Sequence, residues 1–318
     1  MMRPLPVLAA ILVVLMAISL AIGVARLDIA AAGRDPWATL VLFESRLPRT
    51  LAVVLTGAAL AVAGVVIQQL VRNRFVGPDT AGTSESAALG LLAITIWWPE
   101  SPIWLKMVAA SLAAMSGTLL FMAIVRRLPA RELMLVPIAG LVLSGVIGSV
   151  VTFIAWQADL MQYVSTWLMT GEFSGVIAGR YEMLWIAGLA AGAAWFSADR
   201  FAILGLGTDV ARGLGLDPKP VMRIGLAVVS IVTAMVVVTV GMIPFVGLVV
   251  PNIVSRIMGD DLKRSLPVVA VFGAVLVLAC DIIGRVIRFP YEIPVGTVLG
   301  VAGSLVFIYL LYRQPRHA

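Results

Sequence analysis

Long apolar runs divide this chain. Stretches free of Asp, Glu, Lys and Arg cover residues 5–25, 50–71, 86–98, 107–125, 133–158, 183–198, 224–255, 265–280 and 293–312. Several approach the ~20 residues that carry a helix across a ~30 Å hydrocarbon core. Their apolar positions are continuous and do not alternate with polar ones as barrel strands do. The pattern predicts helices throughout. The run at 86–98 is short and is expected to start nearer Thr83. The run at 5–25 is too long for the apolar core of a typical signal peptide, although Ala30-Ala31-Ala32 offers a weak cleavage site.

The run at 224–255 decides the span count. As one helix its 32 residues would extend about 48 Å at ~1.5 Å per residue, more than one crossing. Gly241, Pro244, Gly247 and Pro251 fall in its second half, where proline breaks or kinks a helix. A full span followed by a shorter returning one is therefore expected. This gives ten spans with both termini on one side. If that side is cytoplasmic, 15 of the 23 Lys and Arg residues lie inside, among them Arg3, Arg131, Arg313 and Arg316, and 8 lie outside. Nine spans would give 12 and 11, so the excess of positive charge in cytoplasmic loops favours ten. Residues 1–318 read as a single all-α transmembrane domain. The longest polar connections are 26–49, 156–182 and 199–223, and residues 37–45 are expected to form an interfacial or short extracytoplasmic helix.

Composition agrees. Hydrophobic residues make up 61% and charged ones 13%, about half the charge of a soluble domain. Mean hydropathy is +1.05. A soluble globular domain, a disordered chain and a disulfide scaffold are excluded. The net charge of +6 follows from loop arginines and does not point to nucleic acid. One cysteine, Cys280, and one histidine, His317, offer no metal site. A phosphate-binding loop of the Gly-Lys-Ser/Thr type is missing, since Lys106, Lys219 and Lys263 do not follow glycine. The chain is therefore not expected to be an enzyme that hydrolyses ATP. The acidic residues nearest to the spans, Glu85 and Asp281, lie at the ends of runs, which disfavours a proton-coupled carrier.

Four arginines, Arg46, Arg49, Arg285 and Arg288, fall on the outer side, where few cations are expected. They admit two readings: pairing with Glu44, Asp281 and Glu292, or docking of an acidic partner through the guanidinium fork. On the inner loop, Asp209 is expected to cap a short helix that stops at Gly213 or Gly215, and Asp217-Pro218 to open a second. Gln68, Gln69 and Asn73 place polar groups at the inner end of one span. Gly188 with Gly192 and Gly296 with Gly300 permit close helix approach.

Together these residues resemble a known family. Arg46-Leu-Pro-Arg49-Thr-Leu, Gly57-Ala-Ala-Leu-Ala-Val-Ala-Gly64-Val-Val-Ile-Gln68 and Arg72-Asn73-Arg74-Phe75-Val-Gly-Pro78 resemble the second span and following loop of FecCD-type, or BtuC-like, permeases. Gly241-Met-Ile-Pro-Phe245-Val-Gly247-Leu-Val-Val-Pro251-Asn252 resembles the family's Gly-x-x-x-Phe-x-Gly-x-x-x-Pro-His segment, with Asn252 in place of histidine. Glu292-Ile-Pro294-Val-Gly296 resembles the entry to its last span, so the likeness runs from about residue 40 to 313. Family members are ten-span subunits of bacterial ABC importers for iron–siderophores, haem and vitamin B12. Gly171-Glu-Phe-Ser, Gly179-Arg-Tyr-Glu182 and Phe289-Pro-Tyr-Glu292 are most similar to permeases for ferric catecholate siderophores.

The resemblance implies roles. Arg46, Arg49 and Arg285 align with arginines that meet glutamates of the periplasmic binding protein. Asp209, Val210, Ala211, Arg212, Gly213, Leu214, Gly215 and Leu216 fall where two short coupling helices contact the ATPase. Gln68, Asn73 and Phe75 are candidates for the translocation pathway, which Asn73 and Phe75 are expected to narrow at its cytoplasmic end. The implied partners are a second permease subunit, with a heterodimer favoured over a homodimer, two cytoplasmic ATPase subunits, the binding protein, the iron–siderophore and membrane lipid. ATP is bound by the partners and no cofactor by this chain, which is placed in the bacterial inner membrane as a multi-pass protein. A haem or cobalamin permease and a stand-alone secondary transporter are the rival readings. On the docking reading, Arg46→Glu with Arg49→Glu weakens docking and leaves the fold intact.

Overall fold

The computed structural model describes residues 4–23, 35–129 and 134–312. Arg3, Arg131, Arg313, Arg316, His317 and the Ala30-Ala31-Ala32 stretch lie outside the described residues. The described chain is a polytopic helical membrane protein. In order, the helices are α1 (Pro4–Ala21), α2 (Pro36–Val41), α3 (Leu47–Val71), α4 (Thr83–Trp97), α5 (Ile103–Val125) and α6 (Leu135–Gln157). Then come α7 (Leu184–Phe196), α8 (Ala198–Gly205), α9 (Thr208–Gly213), α10 (Pro218–Val240), α11 (Val246–Met258), α12 (Leu262–Ile287) and α13 (Val295–Tyr312). Among the described residues each apolar run contains at least one helix, and α4 starts at Thr83 as its short run required.

The 224–255 run is divided as expected. α10 ends at Val240, residues 241–245 are not helical, and α11 returns from Val246. Residues 37–45 differ from expectation. They are no separate interfacial helix, because a wide-turn segment, Leu42–Arg46, joins α2 to α3 in one continuous helical stretch. Its entry is fixed by Asp35, whose side chain accepts from the Trp37 amide at 3.0 Å, with Pro36 in the first turn. Asp217 and Asp261 start α10 and α12 by the same chemistry.

α3 is the central helix and most of it is buried. Lipid tails compete with apolar side chains for contact, so close packing of small residues drives helix association here. A Cβ on Gly64 would collide with the carbonyl of Gly247 in α11, and one on Gly57 with the carbonyl of Gly273 in α12. The glycine pairs singled out by spacing behave differently. Gly188 and Gly296 are close to neighbours, but Gly192 and Gly300 face open space. α1 and α6 are peripheral: Ser19 is the buried residue of α1, and the surface of α6 is largely exposed.

Candidate functional site

Two ends of the bundle carry polar constellations. At the first, α3 begins, α1 and α12 end and α13 starts. Arg49 donates from Nη1 to both oxygens of Glu292, at 2.9 and 2.8 Å, and from Nη2 to Asp281 at 2.8 Å. Asp281 also pairs with Arg285 at 2.6 Å, and it is only 3% exposed. Arg285 reaches across to α1, donating to the carbonyls of Ser19 and Ile22 and to the Ser19 hydroxyl. Arg46 donates to the carbonyls of Leu20 and Ala21 at 2.7 and 3.1 Å. Two guanidiniums thus hold the C-terminal carbonyls of α1, where the helix carries about half a negative charge.

The three arginines expected to dock a partner are therefore brought together, but inside the fold. Arg46 and Arg285 are 7% and 6% exposed. Asp281 and Glu292 are the carboxylates that meet Arg49, and Asp281 also meets Arg285. Arg49→Glu would set a carboxylate against Asp281 and Glu292, and Arg46→Glu would turn one toward the carbonyls of Leu20 and Ala21, so these contacts argue against the expectation that the double change leaves the fold intact. Arg288, considered with the other outer arginines but not assigned, is exposed and lies over the Tyr291 ring at 5.8 Å.

At the opposite end, α3, α8, α11 and α12 enclose a cavity of about 450 Å³ lined by Gln68, Gln69, Asn73, Asn252, Ser255 and Ser265. Asn73 is buried, and its side-chain oxygen accepts from the Phe75 amide at 2.9 Å. Gln68 is buried beside the Gly247 carbonyl. Phe75 is partly exposed, its ring edge-on to Phe307 of α13 at 6.2 Å. The three residues expected in the pathway thus divide: Asn73 shapes its loop, Gln68 packs α3 against α11, and Phe75 presents a ring. Asn252 donates to the carbonyls of Arg74 and Leu248, both at 2.7 Å. Asp79 accepts from the Phe245 amide at 2.8 Å. No sequence signal short of the folded loop marks Asp79.

The same end carries α8 and α9. Asp209 is not the cap of α9. Gly207, with φ 120°, takes that position without a side-chain bond, and Asp209 sits in the first turn, 3.6 Å from Arg212. The helix stops at Gly213, as expected, and Gly215 follows with φ 79°. Asp217 opens α10 itself and no second short helix; the other short helix, α8, precedes α9. Ala211 is buried, whereas Leu206, Val210 and Leu214 are exposed, Leu214 by 63%. A further hollow of about 550 Å³ lies along α6, beside Gly145, Gly148, Ser149 and Thr152. Phe153, Trp156, Met161 and Met169 line the rest of it, and the Ser149 and Thr152 hydroxyls donate to the carbonyls of Gly145 and Gly148 one turn back.

Comparison with known proteins follows this geometry. The model of the FecCD transport family matches residues 8–313. The chain is 44% identical over 277 residues to the petrobactin import system permease protein YclN of Bacillus subtilis, covering 87% of each chain. It is 40% identical over 279 residues to the ferric-anguibactin transport system permease protein FatD of Vibrio anguillarum, covering 88% of each. Its fold is similar to that of a metal-chelate type ABC transporter solved in an inward-facing conformation, with a TM-score of 0.83, 24% identity and coverage of 98% and 99%. With a family model matched from residue 8 to 313 and 44% identity across 87% of a relative, this chain belongs to the FecCD transport family.

Proposed function

We propose that this chain is the membrane permease subunit of an ATP-binding-cassette importer that takes up an iron–siderophore complex, of the ferric catecholate class, by alternating access. The observation that carries this reading is the 44% identity, across 87% of both chains, to a petrobactin permease. It is a transport subunit and not an enzyme. ATP is bound and hydrolysed by two cytoplasmic partner subunits. A second permease, a similar but distinct chain, completes the membrane dimer. The siderophore holds the iron, so the permease provides a passage and no metal ligands.

In this proposal the bundle has ten spans, both termini are cytoplasmic, and the membrane is the bacterial inner membrane. The 15-to-8 division of basic residues supports that orientation. The end with Arg46, Arg49 and Arg285 then faces outward. These three arginines form the charged floor of the docking surface, and exposed Arg288 stands at its rim. A binding protein presenting carboxylates would meet the exposed Arg288 guanidinium first. The end with α8 and α9 faces the ATPase, and residues 209–216, with Val210 and Leu214 exposed, form the coupling contact. ATP does work on the passage only if the ATPase binds one permease conformation better than the other. Gln68, Asn73 and Phe75 belong to the inner end of that passage.

Assembly tests the reading. Solubilised permease should retain its ATPase through affinity purification, and Val210→Asp with Leu214→Asp should release it while the permease stays folded. Undiminished ATPase retention in that double variant would remove the coupling role from this loop. Uptake driven by an ion gradient without any ATPase would favour a secondary transporter.

A further inference from the structure

The break between α10 and α11 lies deep in the bundle. α11 begins beside Gly64, which at ~1.5 Å per residue is about 22 Å along α3 from Arg49 and about 10 Å from Val71. Backbone groups freed by such a break need partners in a membrane interior. The outer part has them: the Met242 amide donates to the Leu168 carbonyl at 2.8 Å. At the inner part the Phe245 amide has a carboxylate, Asp79, from the loop that joins α3 to α4. Phe245 itself is held at φ 66° and ψ −19°. That left-handed conformation is uncommon for a bulky side chain and persists where the surroundings enforce it.

The loop does more than supply one acceptor. Its backbone is tied to α11 a second time, because Asn252 donates to the Arg74 carbonyl. It also packs against the first turn of α11, where a Cβ on Gly247 would collide with the Pro78 ring. The loop holds two aromatic residues by their amides: Phe75 through Asn73 at 2.9 Å, and Phe245 through Asp79 at 2.8 Å. Both aromatics press on one face of α13. Phe245 lies against Gly303, and Phe75 meets Phe307, one helical turn further. Phe75, Phe245 and Phe307 are all partly exposed.

We propose that Asp79 and Asn252 are positioning residues that clamp residues 73–79 onto α11, so that Phe75 and Phe245 move as one two-ring gate against α13. The gate rests on the permease reading, since α13 and the loop border the passage only there. Asp79 sets the conformation of Phe245 and touches no substrate. Asn252 ties the loop to the half-helix that carries Phe245. Movement of α11 at the ATPase end is thereby transmitted to both rings together.

Amide hydrogen exchange on the full-length chain in nanodiscs reads the clamp directly. Asp79→Ala should raise exchange over residues 245–248 at least tenfold and over residues 73–82 as well. Asp79→Asn keeps an acceptor and should stay within twofold of wild type. In the reconstituted transporter, Asp79→Ala should lower the substrate carried per ATP at least fivefold while hydrolysis continues, and Asp79→Asn should restore the ratio. Unchanged exchange in Asp79→Ala overturns the clamp. Raised exchange with an unchanged transport ratio overturns the gate, and an asparagine variant as defective as the alanine one overturns the acceptor role. Absence of ATP-driven uptake in the wild type would defeat the permease reading, while the exchange comparison would still uphold or overturn the clamp.

Discussion

Asp281→Ala is the sharpest probe of the arginine cluster. Asp281 is 3% exposed and bridges Arg49 at 2.8 Å and Arg285 at 2.6 Å. Removing one partner of a buried ion pair costs about 3–5 kcal/mol, because the remaining charge keeps its desolvation penalty. Two features favour the lower end. Arg49 retains both oxygens of Glu292, and Arg285 retains the Ser19 hydroxyl with the carbonyls of Ser19 and Ile22. A loss of about 3 kcal/mol is therefore expected. Glu292→Ala removes a carboxylate that is 26% exposed, and solvent screening reduces that loss to about 1 kcal/mol. At about 2–3 °C per kcal/mol in a chain of this size, Asp281→Ala should lower the apparent Tm by about 6–9 °C and Glu292→Ala by about 2–3 °C. Tryptophan fluorescence at one scan rate follows the whole chain. Cys280, the single cysteine and a buried one, lets a thiol-reactive dye follow the cluster itself. Equal shifts for the two variants would refute the assignment of Asp281 as the buried hub.

Other outcomes follow from the same contacts. Gly64→Ala should prevent correct packing of α3 on α11, at a cost of about 3 kcal/mol or more, whereas Gly192→Ala, with open space around its Cβ, should change Tm by less than 1 °C; comparing yields of monodisperse protein and melting curves checks both. Arg288→Glu should weaken binding-protein docking about tenfold, or ~1.4 kcal/mol, with no change in Tm, as read by titration against permease in nanodiscs. Arg46→Glu with Arg49→Glu should lower Tm by more than Asp281→Ala does, since one new carboxylate would face Asp281 and Glu292 and the other the carbonyls of Leu20 and Ala21; a normal melting curve would return these arginines to the surface.

Much of the fold is legible in the sequence because lipid enforces a simple rule. Backbone groups in hydrocarbon must be satisfied within the segment, so each apolar run becomes a helix. The break at 241–245 is readable for the same reason: Gly241 and Pro244 sit where a single helix would be too long. Tertiary partners are harder. Arg46 and Arg285 fit a docking surface by position, yet both donate to carbonyls at the end of α1, and nothing in the local sequence announces that α1 ends beside them. Gly64 looked like part of a motif and proved to be a backbone contact with Gly247, while the regular spacing of Gly188 with Gly192 carried less. Asp209 has the right residue type for a cap, but Gly207 adopts the conformation that opens the helix. Asp79 carries no local signal because its partner, the Phe245 amide, is 166 residues away.

Transport in proteoliposomes tests the central claim most directly. The chain, its partner permease and the ATPase would be reconstituted together, with binding protein outside and ATP inside. Ferric catecholate, ferric hydroxamate, haem and cobalamin would be offered in turn. The account expects ATP-dependent uptake of a ferric siderophore, with the catecholate preferred and haem and cobalamin excluded. An intact complex that hydrolyses ATP and carries haem or cobalamin in place of ferric siderophores would contradict it.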